Sequence, residues 1–485
     1  MMEQQEQVNM YDAILVGSGL ASLMAGLRLS RGKYSVLLLK EKGYEPLFLK
    51  DGYSFMPFSS FSERLLRLST LRGLFEWLGS PLHFEFQKGK ELGPPRLNAR
   101  REVTFQVILP TARIDLFCDR SQREKEWKRE FPREILQIHH FYNELRRNRN
   151  PSAPFHRPPR LLQRLFSSEP NVDLSPFSEE FRSTIELQLR AWTHFYSKGI
   201  PTSLASHLLD FDEEGDGVPN SDVNELEKSL WQEYHRAGGQ VEEILGVKEI
   251  TREWRKGFAL HVEGNRRIIR SRILLINCPL HRLPHYQGKG KRQLDHWRHL
   301  IEPRYVLYPF FLGLREKGIP VGMRDLLVSV SDPGKVYEGG NLITLSVSAE
   351  GDRSKAPRGN RALTVESLLR WDRVKKGWDP HWMDEQRETV LNHLRQLFPF
   401  LDDHIEFLES DRGRELVSHW SYPHFVYETG ARVRWREGLI PTRISRNLYV
   451  AGKENLPFLG LEGEILSGGK AGREVLGQRT FSASL

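Results

Sequence analysis

Glycines near the N-terminus are spaced for binding a phosphate. The chain reads Gly17-Ser18-Gly19-Leu20-Ala21-Ser22 directly after an apolar run, and a second apolar run follows at residues 36–39. Glycine permits a tight turn and lets backbone come close to a phosphate, while the amides and dipole at a helix start favour an anion. The order strand, glycine turn, helix and strand predicts a dinucleotide-binding unit over residues 11–42.

Two positions in this unit depart from the usual fingerprint. The third glycine is replaced by Ser22, a small residue that still permits close packing of helix on strand. The acid that binds the adenosine ribose is expected at the end of the second strand, where the chain has Lys40. Lysine has three donors and no acceptor, so it cannot replace this acid. Glu41 could do so if the end of the strand is shifted by one residue.

Length and composition predict several compact units and no transmembrane helix. Its 485 residues are enough for two or three compact units. The chain is 39% hydrophobic and 28% charged, and it contains no apolar run of about 18 residues. Residues 1–9 are polar, which argues against a secretory signal, and two cysteines cannot form a disulfide framework. We therefore expect a cytoplasmic protein.

The positive charge of the chain leaves several partners open. A net charge of +8 suits an anionic cofactor, an anionic membrane surface or nucleic acid, and it is also an ordinary surface charge for a chain of this size. No helix-turn-helix, zinc-finger or RNA-binding signature accompanies it, so no nucleic-acid partner is expected. The helical segment at 119–200 is rich in arginine and aromatic residues. It is either a peripheral contact with an anionic membrane or a solvated helix pair packed through its aromatic side chains.

Further elements follow from periodicity and turn residues. The predicted elements are a helix at 223–237, strands at 240–249, 257–262 and 268–277, an antiparallel sheet within 305–349, a helix at 380–398, an extended segment at 415–420, a strand at 447–452, and a last helix from Gly460 to about residue 476.

In this order of elements, the chain resembles the phytoene-desaturase-like branch of the flavin-containing amine oxidase superfamily. Three segments carry the resemblance: the first strand with its glycine turn, the module at 218–279, and the Gly-x-x-Gly-x-x-x-Ser-Gly element within 447–469. The resemblance implies an α/β fold, in which a Rossmann-like FAD-binding domain of discontinuous segments carries an inserted α+β substrate domain. The expected FAD-binding domain comprises residues 1–100, 202–285 and 440–485, and the substrate domain comprises residues 101–201 and 286–439.

The resemblance also implies FAD as the cofactor. The start of the last helix would point at the flavin ring, and its amides would stabilise negative charge on the reduced ring. The residues expected to contact FAD are Gly17, Ser18, Gly19, Leu20, Ser22, Lys40, Glu41, Val241, Asn277, Gly452, Lys453, Gly460, Gly463 and Glu464.

Two departures from such relatives affect the cofactor site. Relatives usually have a Gly-Gly-Arg or Gly-Gly-Lys loop after the ribose acid, and residues 43–50 have none. Relatives also usually have Ala-Gly-Asp after the C-terminal strand, whereas this chain has Ala451-Gly452-Lys453 followed by Glu454. Two acids have thus become lysines. Either the lysines bind the pyrophosphate directly, or flavin binding is weakened or lost and the fold is kept as a scaffold.

The substrate side of the site is less specific. Tyr308, Trp420 and Tyr422 are candidates for lining an apolar tunnel or an aromatic cage, and each also suits the interior of a sheet. No nucleophile motif or metal-ligand set is present, so catalytic residues and oligomeric state stay unassigned. The predicted function is FAD-dependent dehydrogenation, desaturation or isomerisation of a lipophilic substrate, such as an isoprenoid or polyene. The alternatives are a catalytically degenerate binding or scaffold protein, and a flavin amine oxidase.

Overall fold

A computed structural model describes most of the chain. The described residues are 10–56, 103–117, 120–148, 171–193, 195–196, 199–209, 223–253, 257–264, 267–283, 285–428 and 438–482. Cys118 and the proline-rich part of the basic segment lie outside these ranges.

Strands account for the two large sheets and one hairpin. They are β1 Met10–Val16, β2 Val36–Glu41, β3 Phe48–Lys50, β4 Tyr53–Phe55, β5 Val103–Ile108, β6 Arg113–Phe117, β7 Phe195–Tyr196, β8 Gln240–Ile244, β9 Val247–Glu253, β10 Gly257–Val262, β11 Ile268–Ile276, β12 His285–Gln287, β13 Pro303–Arg315, β14 Leu326–Val330, β15 Leu342–Val347, β16 Asn360–Arg370, β17 Ile405–Glu409, β18 Phe425–Glu428, β19 Arg443–Ser445 and β20 Leu448–Val450.

Helices cover the first sheet and border the second. They are α1 Leu20–Arg31, α2 Arg120–Glu130, α3 Ile135–Arg147, α4 Glu179–Trp192, α5 Thr202–Leu209, α6 Val223–Arg236, α7 Lys291–Leu300, α8 Trp371–Val374, α9 Pro380–Leu397, α10 Leu401–His404, α11 Asp411–Ser418 and α12 Gly460–Ser482, with short 3₁₀ helices at Leu280–Arg282, Glu316–Gly318 and Pro457–Leu459.

The first sheet has a parallel centre. β1 pairs in parallel with β2 and β11, while β8 joins β2 and β20 joins β11, also in parallel. β9 and β10 continue the sheet beyond β11 in antiparallel order. Because parallel strands end at the same edge, the C-terminal ends of β2, β1, β11 and β20 lie side by side in that order. The predicted Rossmann-like α/β fold is confirmed.

Alternation along the central strands separates two apolar clusters. In β1, Ala13 and Leu15 pack with helices α1, α6 and α12, whereas Ile14 and Val16 face the larger cluster that continues into the second sheet. A strand that is buried on both faces reads as a continuous apolar run, which is why the sequence pattern identified it.

The second sheet is mixed and lies against that larger cluster. Its strand order is β6-β5-β14-β15-β16-β13-β18-β7, with β17 also paired to β13. β13, β14, β15 and β16 pair antiparallel, and β5 joins β14 in parallel. The two long strands β13 and β16 form its centre, and most of their residues are buried.

Three predicted elements differ from the structure. The strand at 240–249 is two strands, because the chain breaks at Gly246 between β8, which pairs with β2, and β9, which pairs with β10. The predicted extended segment at 415–420 begins within helix α11. A Cβ atom on Gly413 would lie 2.4 Å from the Pro309 carbonyl oxygen, so the glycine allows the start of α11 to pack closely on β13. The last helix continues beyond the predicted end to Ser482.

None of the helices in the described part of the chain is long and apolar enough to cross a bilayer.

Candidate functional site

The glycine turn after β1 is held close to the end of β11. Gly17 has φ +100°, a left-handed conformation that strains any residue with a side chain. A Cβ atom on Gly17 would lie 2.3 Å from the carbonyl oxygen of Asn277. The Gly17 amide donates to the carbonyl of Leu39 at 3.0 Å, which ties the turn to β2 as well. Both the conformation and the close contact therefore require glycine at position 17.

Gly19 stands where helix α1 begins. Its φ of −64° is ordinary, but a Cβ atom there would lie 2.5 Å from Asn277 Oδ1 and 2.5 Å from Glu464 Oε1. The first turn of α1 contains no acidic residue and no side-chain cap. Leu20 opens the helix, and its first amides and dipole therefore favour an anion from elsewhere.

The anion at this helix start is a carboxylate of the chain itself. The Ala21 amide donates to Glu464 Oε1 at 3.4 Å, from the first turns of α12. Glu464 is buried, as is Ser22, which follows in α1. The predicted phosphate position and the predicted FAD contact at Glu464 thus lie in contact with each other.

Within the described part of the chain, two buried polar atoms beside this turn have no hydrogen-bond partner. They are the Ser22 hydroxyl and Asn277 Oδ1. The other side-chain atom of Asn277, Nδ2, donates to the Ala451 carbonyl at 2.6 Å. Buried polar groups are almost always paired in native proteins, so unpaired ones at a predicted phosphate site are consistent with a missing polar ligand.

Glycines bring helix α12 against α1 and the strand ends. A Cβ atom on Gly468 would lie 2.3 Å from the Ala21 carbonyl oxygen, and one on Gly463 would lie 2.2 Å from the Leu456 carbonyl oxygen. Gly460 has φ +51° at the entry of the helix. Ser467 donates to the Gly452 carbonyl at 3.2 Å. The glycine-rich C-terminal element therefore positions α12 beside the turn after β1.

Two further acids lie near Glu464. Glu462, the acidic residue in the first turn of α12, contacts His207 Nε2 of α5 at 3.2 Å. The pKa of Glu227 on α6 is raised, mainly by burial and also by the negative charge of Glu464. A hydrogen bond from Trp231 and the positive charge of Lys40 oppose this shift. Sequence reasoning did not identify Glu227 or His207, and neither lies in a recognisable motif.

Lys40 and Glu41 lie on opposite faces of β2. Lys40 Nζ lies 3.4 Å from Glu243 of β8, its neighbour in the register of the sheet. Glu41 is buried, and both its oxygens accept hydrogen bonds from residues 419–421. Burial would raise the pKa of Glu41, but the hydrogen bonds from His419 and Ser421 outweigh it and lower the pKa. The carboxylate that was expected to bind the ribose therefore holds a loop of the second sheet.

Lys453 and Glu454 are both buried after β20. Lys453 Nζ lies 3.4 Å from His424 Nδ1. Glu454 accepts the Leu280 amide with both oxygens, at 3.1 and 3.0 Å, and the Tyr427 hydroxyl at 2.6 Å. Burial raises the pKa of Glu454 to about 7, although the hydrogen bonds from Tyr427 and Leu280 and the charge of Arg298 oppose the shift.

The remaining predicted residues are more dispersed. Val241 lies on β8 opposite Leu38 and packs at the margin of the helix-covered cluster. Tyr308 and Tyr422 are fully buried, and their hydroxyls donate to the carbonyls of Ser410 and Leu307. Trp420 donates its indole N–H to the Leu245 carbonyl at 3.2 Å. Tyr422 lies 5.3 Å from the ring of His424, which links the aromatic interior to Lys453.

Within the described residues, no group of three or more histidine, cysteine, aspartate or glutamate side chains is arranged to hold a metal ion. Cys278 is buried as a free thiol next to Asn277, and burial raises its pKa.

The arrangement can be compared with known proteins. No protein-family model and no curated protein matches the chain. Among solved structures, an oxidoreductase from Methanosarcina mazei matches with a TM-score of 0.60 and 15% identity, over 94% of this chain and 99% of that chain. Putrescine oxidase bound to putrescine matches with a TM-score of 0.59 and 12% identity, over 97% of this chain and 100% of that chain.

A third similar structure is cyclohexylamine oxidase from Brevibacterium oxydans. It matches with a TM-score of 0.53 and 13% identity, over 97% of this chain and 99% of that chain. Identities this low show the fold alone. The chain therefore has, over almost its whole length, the two-sheet Rossmann-like fold of these oxidoreductases.

Proposed function

We propose that this protein is a flavin-dependent oxidoreductase that acts on an apolar substrate by dehydrogenation or a related isomerisation. The observation that carries the proposal is the turn from Gly17 to Gly19. It joins the edge of a parallel sheet to the start of α1, and its glycines lie too close to Asn277 for either to carry a side chain.

The residues around this turn fit the pyrophosphate of FAD. The amides at the start of α1 offer donors, and the unpaired Ser22 hydroxyl is a further donor within the same buried turn. Glu464 already accepts one of these amides, at 3.4 Å from Ala21 N. A pyrophosphate would therefore replace this carboxylate, and the Glu464 side chain would have to turn away from α1.

The chain's own groups would position the cofactor and exclude water. When bound, the flavin would supply the hydride-accepting chemistry. The start of α12, fixed by the close contact of Gly463 with Leu456, would direct its amides towards developing negative charge. Lys453, buried beside His424, would add a positive charge at the end of β20.

An apolar substrate is supported by the aromatic interior next to Lys453. Tyr422, Phe425 and Tyr308 are buried there, and the hydroxyls of the two tyrosines are already bonded to backbone carbonyls. These rings therefore make this interior apolar, with few unpaired polar groups. Assignment to the phytoene-desaturase-like branch stays a prediction, as does amine oxidation.

The visible spectrum of the purified full-length protein tests the proposal. We expect absorption bands near ~370 and ~450 nm from oxidised flavin, either as isolated or after incubation with FAD. The Gly19→Ala variant should lose the bands, because its Cβ atom would lie 2.5 Å from Asn277 Oδ1. Gly477→Ala in α12, where a Cβ atom meets nothing within 4 Å, is the matched control. A colourless protein that cannot be reconstituted would contradict the proposal.

A second candidate function is a non-catalytic protein that keeps the oxidoreductase fold. It is favoured by the Glu464 carboxylate at the start of α1, together with the use of Glu41 in holding residues 419–421. FAD titration of Glu464→Gln separates the two candidates. If the protein is an enzyme, wild type binds FAD and the variant binds it about tenfold more tightly, because a like charge is removed. If neither binds, the scaffold function is supported. Glu462→Gln, on the same helix turn but paired with His207, is the control.

A further inference from the structure

A small cavity lies between helices α2 and α3, in the basic segment and away from the glycine turn. Its volume is about 30 Å³, and its lining includes Arg120, Arg123, Trp127, His139 and Arg146. A cavity of that size accommodates roughly two water-sized groups, so it suits the inserted oxygens of a small oxyanion and excludes a larger cofactor.

Arg123 brings a buried positive charge to this cavity. Its side chain is only 6% exposed, and its guanidinium lies 5.3 Å from the centre of the Tyr142 ring. The glutamates of α2 pair with other arginines: Glu124 with Arg120, and Glu126 and Glu130 with Arg129. Among the described residues, Arg123 thus has no carboxylate partner. A buried guanidinium without a counter-charge is unfavourable, so a bound anion would stabilise it.

Trp127 brings a second donor without an acceptor. Its indole nitrogen is buried and has no hydrogen-bond partner among the residues that the structure describes. The ring itself is held by Phe131, Tyr142 and Phe181, with ring centres 5.5 to 6.1 Å away. This packing fixes the direction of the N–H group. A buried tryptophan N–H usually has an acceptor, and a ligand in the cavity would supply one.

The rim of the cavity adds positive charge. Arg120 is paired with Glu124, Arg146 donates to Asn143 Oδ1 at 3.1 Å, and His139 is exposed beside them. Among the described lining residues, three are arginines and one is a glutamate. Guanidinium groups bind phosphate oxygens in pairs, which suits a doubly charged head more than a halide.

We propose that the cavity between α2 and α3 binds the terminal phosphate of a phosphate monoester, through the Arg123 guanidinium and the Trp127 indole N–H. The phosphate belongs either to a small solute or to a lipid headgroup such as phosphatidic acid. Both present the same dianionic head, and this segment carries enough positive charge for either source.

Inorganic phosphate is the first probe. Isothermal titration of the full-length protein, with sodium chloride at matched ionic strength as reference, should show one phosphate site. Arg123→Gln should weaken binding about tenfold or more, and Trp127→Phe, which keeps the aromatic packing, should weaken it a few-fold. Arg147→Gln removes an equal charge from the exposed face of α3 outside the cavity and should leave affinity unchanged.

Vesicle flotation identifies the source of the phosphate. Phosphatidylcholine vesicles are compared with and without phosphatidic acid, and with phosphatidylglycerol, which has no terminal phosphate. Binding of phosphatidic acid vesicles that depends on Arg123 supports a lipid headgroup, whereas phosphate binding without flotation supports a solute. The proposal is overturned if neither probe binds, if folded Arg123→Gln and Trp127→Phe bind like wild type, or if Arg147→Gln weakens binding as much as Arg123→Gln.

Discussion

Two lysine-glutamate pairs lie at the C-terminal ends of parallel strands in the first sheet, and their environments differ. Lys40-Glu41 ends β2, and Lys453-Glu454 comes shortly after β20. Both glutamates expose little surface, 6% and 5%, but Glu454 lies deeper in the interior. Both hold the segment 419–427 that leads into and forms β18. Nevertheless, the pKa of Glu41 is lowered and the pKa of Glu454 is raised to about 7.

The number of donors and the depth of burial together explain this difference. Glu41 is contacted by His419 Nδ1, two backbone amides and the Ser421 hydroxyl, at 2.6 to 3.1 Å. Glu454 has one amide, shared between its two oxygens, and one tyrosine hydroxyl. Burial penalises both charges, and only at Glu41 do hydrogen bonds compensate for it. Similar surface exposure can therefore accompany opposite pKa shifts.

The lysines differ as well. The Lys40 side chain is 33% exposed and forms an ion pair across the sheet with Glu243. Lys453 is 7% exposed and contacts a histidine. Lys40 and Lys453 both stand where an acid was expected, so they look alike in the sequence. In the structure, Lys40 adds a charge at the surface and Lys453 adds a buried charge.

Replacing Glu41 should have the largest effect on stability. Glu41→Ala removes the acceptor of two backbone amides and leaves His419 and Ser421 without their partner. We expect the free energy of unfolding to fall by about 4 kcal/mol, since buried donors remain unpaired. Urea unfolding at pH 7 measures this loss.

Glu243→Ala is the control for Glu41→Ala, because it removes an exposed carboxylate from the neighbouring strand β8. It should cost less than about 0.5 kcal/mol. Equal losses from the two variants would contradict the role of Glu41 in holding residues 419–421.

The raised pKa of Glu454 should make stability fall as pH rises. The folded-state pKa of about 7 lies above the ordinary value of 4.5. The stabilisation is fully present below about pH 4.5 and is lost as pH rises through 7, and its total is on the order of 3 kcal/mol. In Glu454→Gln, this dependence should disappear, so the variant should gain on wild type between pH 5 and 8. Unfolding free energies across that range measure the gain.

The contribution of Glu41 to stability should depend on pH in the opposite direction to that of Glu454. Its lowered pKa stabilises the fold above the unfolded-state value, and this contribution is lost as pH falls through the folded-state pKa. The deficit of Glu41→Gln relative to wild type should therefore shrink in acid. A deficit that shrinks towards alkaline pH would contradict the assigned direction.

The sheet and the glycine turn could be predicted because their signals are local. β1 is apolar throughout since it is buried on both faces, and Gly17 needs a left-handed conformation that other residues rarely adopt. Lys40 and Glu41 lie on opposite faces of the sheet, as strand geometry requires of successive residues.

The partners of the charged residues could not be predicted in the same way. Glu41 bonds to Ser421, 380 residues away, and Glu464 to Ala21, 443 residues away. No local pattern indicates which distant backbone amide a buried carboxylate will accept. The wrong assignment at 415–420 has a related cause, since α11 packs on β13, a distant strand that no local pattern identifies.

Replacing Lys453 should have a smaller effect and in the opposite direction to Glu41→Ala. Lys453→Met keeps the length of the side chain and removes a buried ammonium group. We expect the free energy of unfolding to rise by about 1 kcal/mol, because a buried charge with incomplete pairing is exchanged for an apolar group. If the variant is stable and loses FAD affinity, Lys453 is a cofactor ligand; a loss of 2 kcal/mol or more would contradict the predicted gain.

The smallest effect is expected at Lys40. Its ammonium lies 3.4 Å from Glu243, whose side chain is 55% exposed, so water and salt screen the pair. Lys40→Gln should change the free energy of unfolding by less than about 0.5 kcal/mol, and the change should vanish in 1 M sodium chloride. Lys40 also helps to lower the pKa of half-buried Glu227 against the charge of Glu464. If Lys40→Gln lowers the free energy of unfolding by more than about 1 kcal/mol and the loss persists in salt, Lys40 stabilises the charges of Glu227 and Glu464. Both Lys40 and Lys453 would then act as positive charges near the predicted cofactor site.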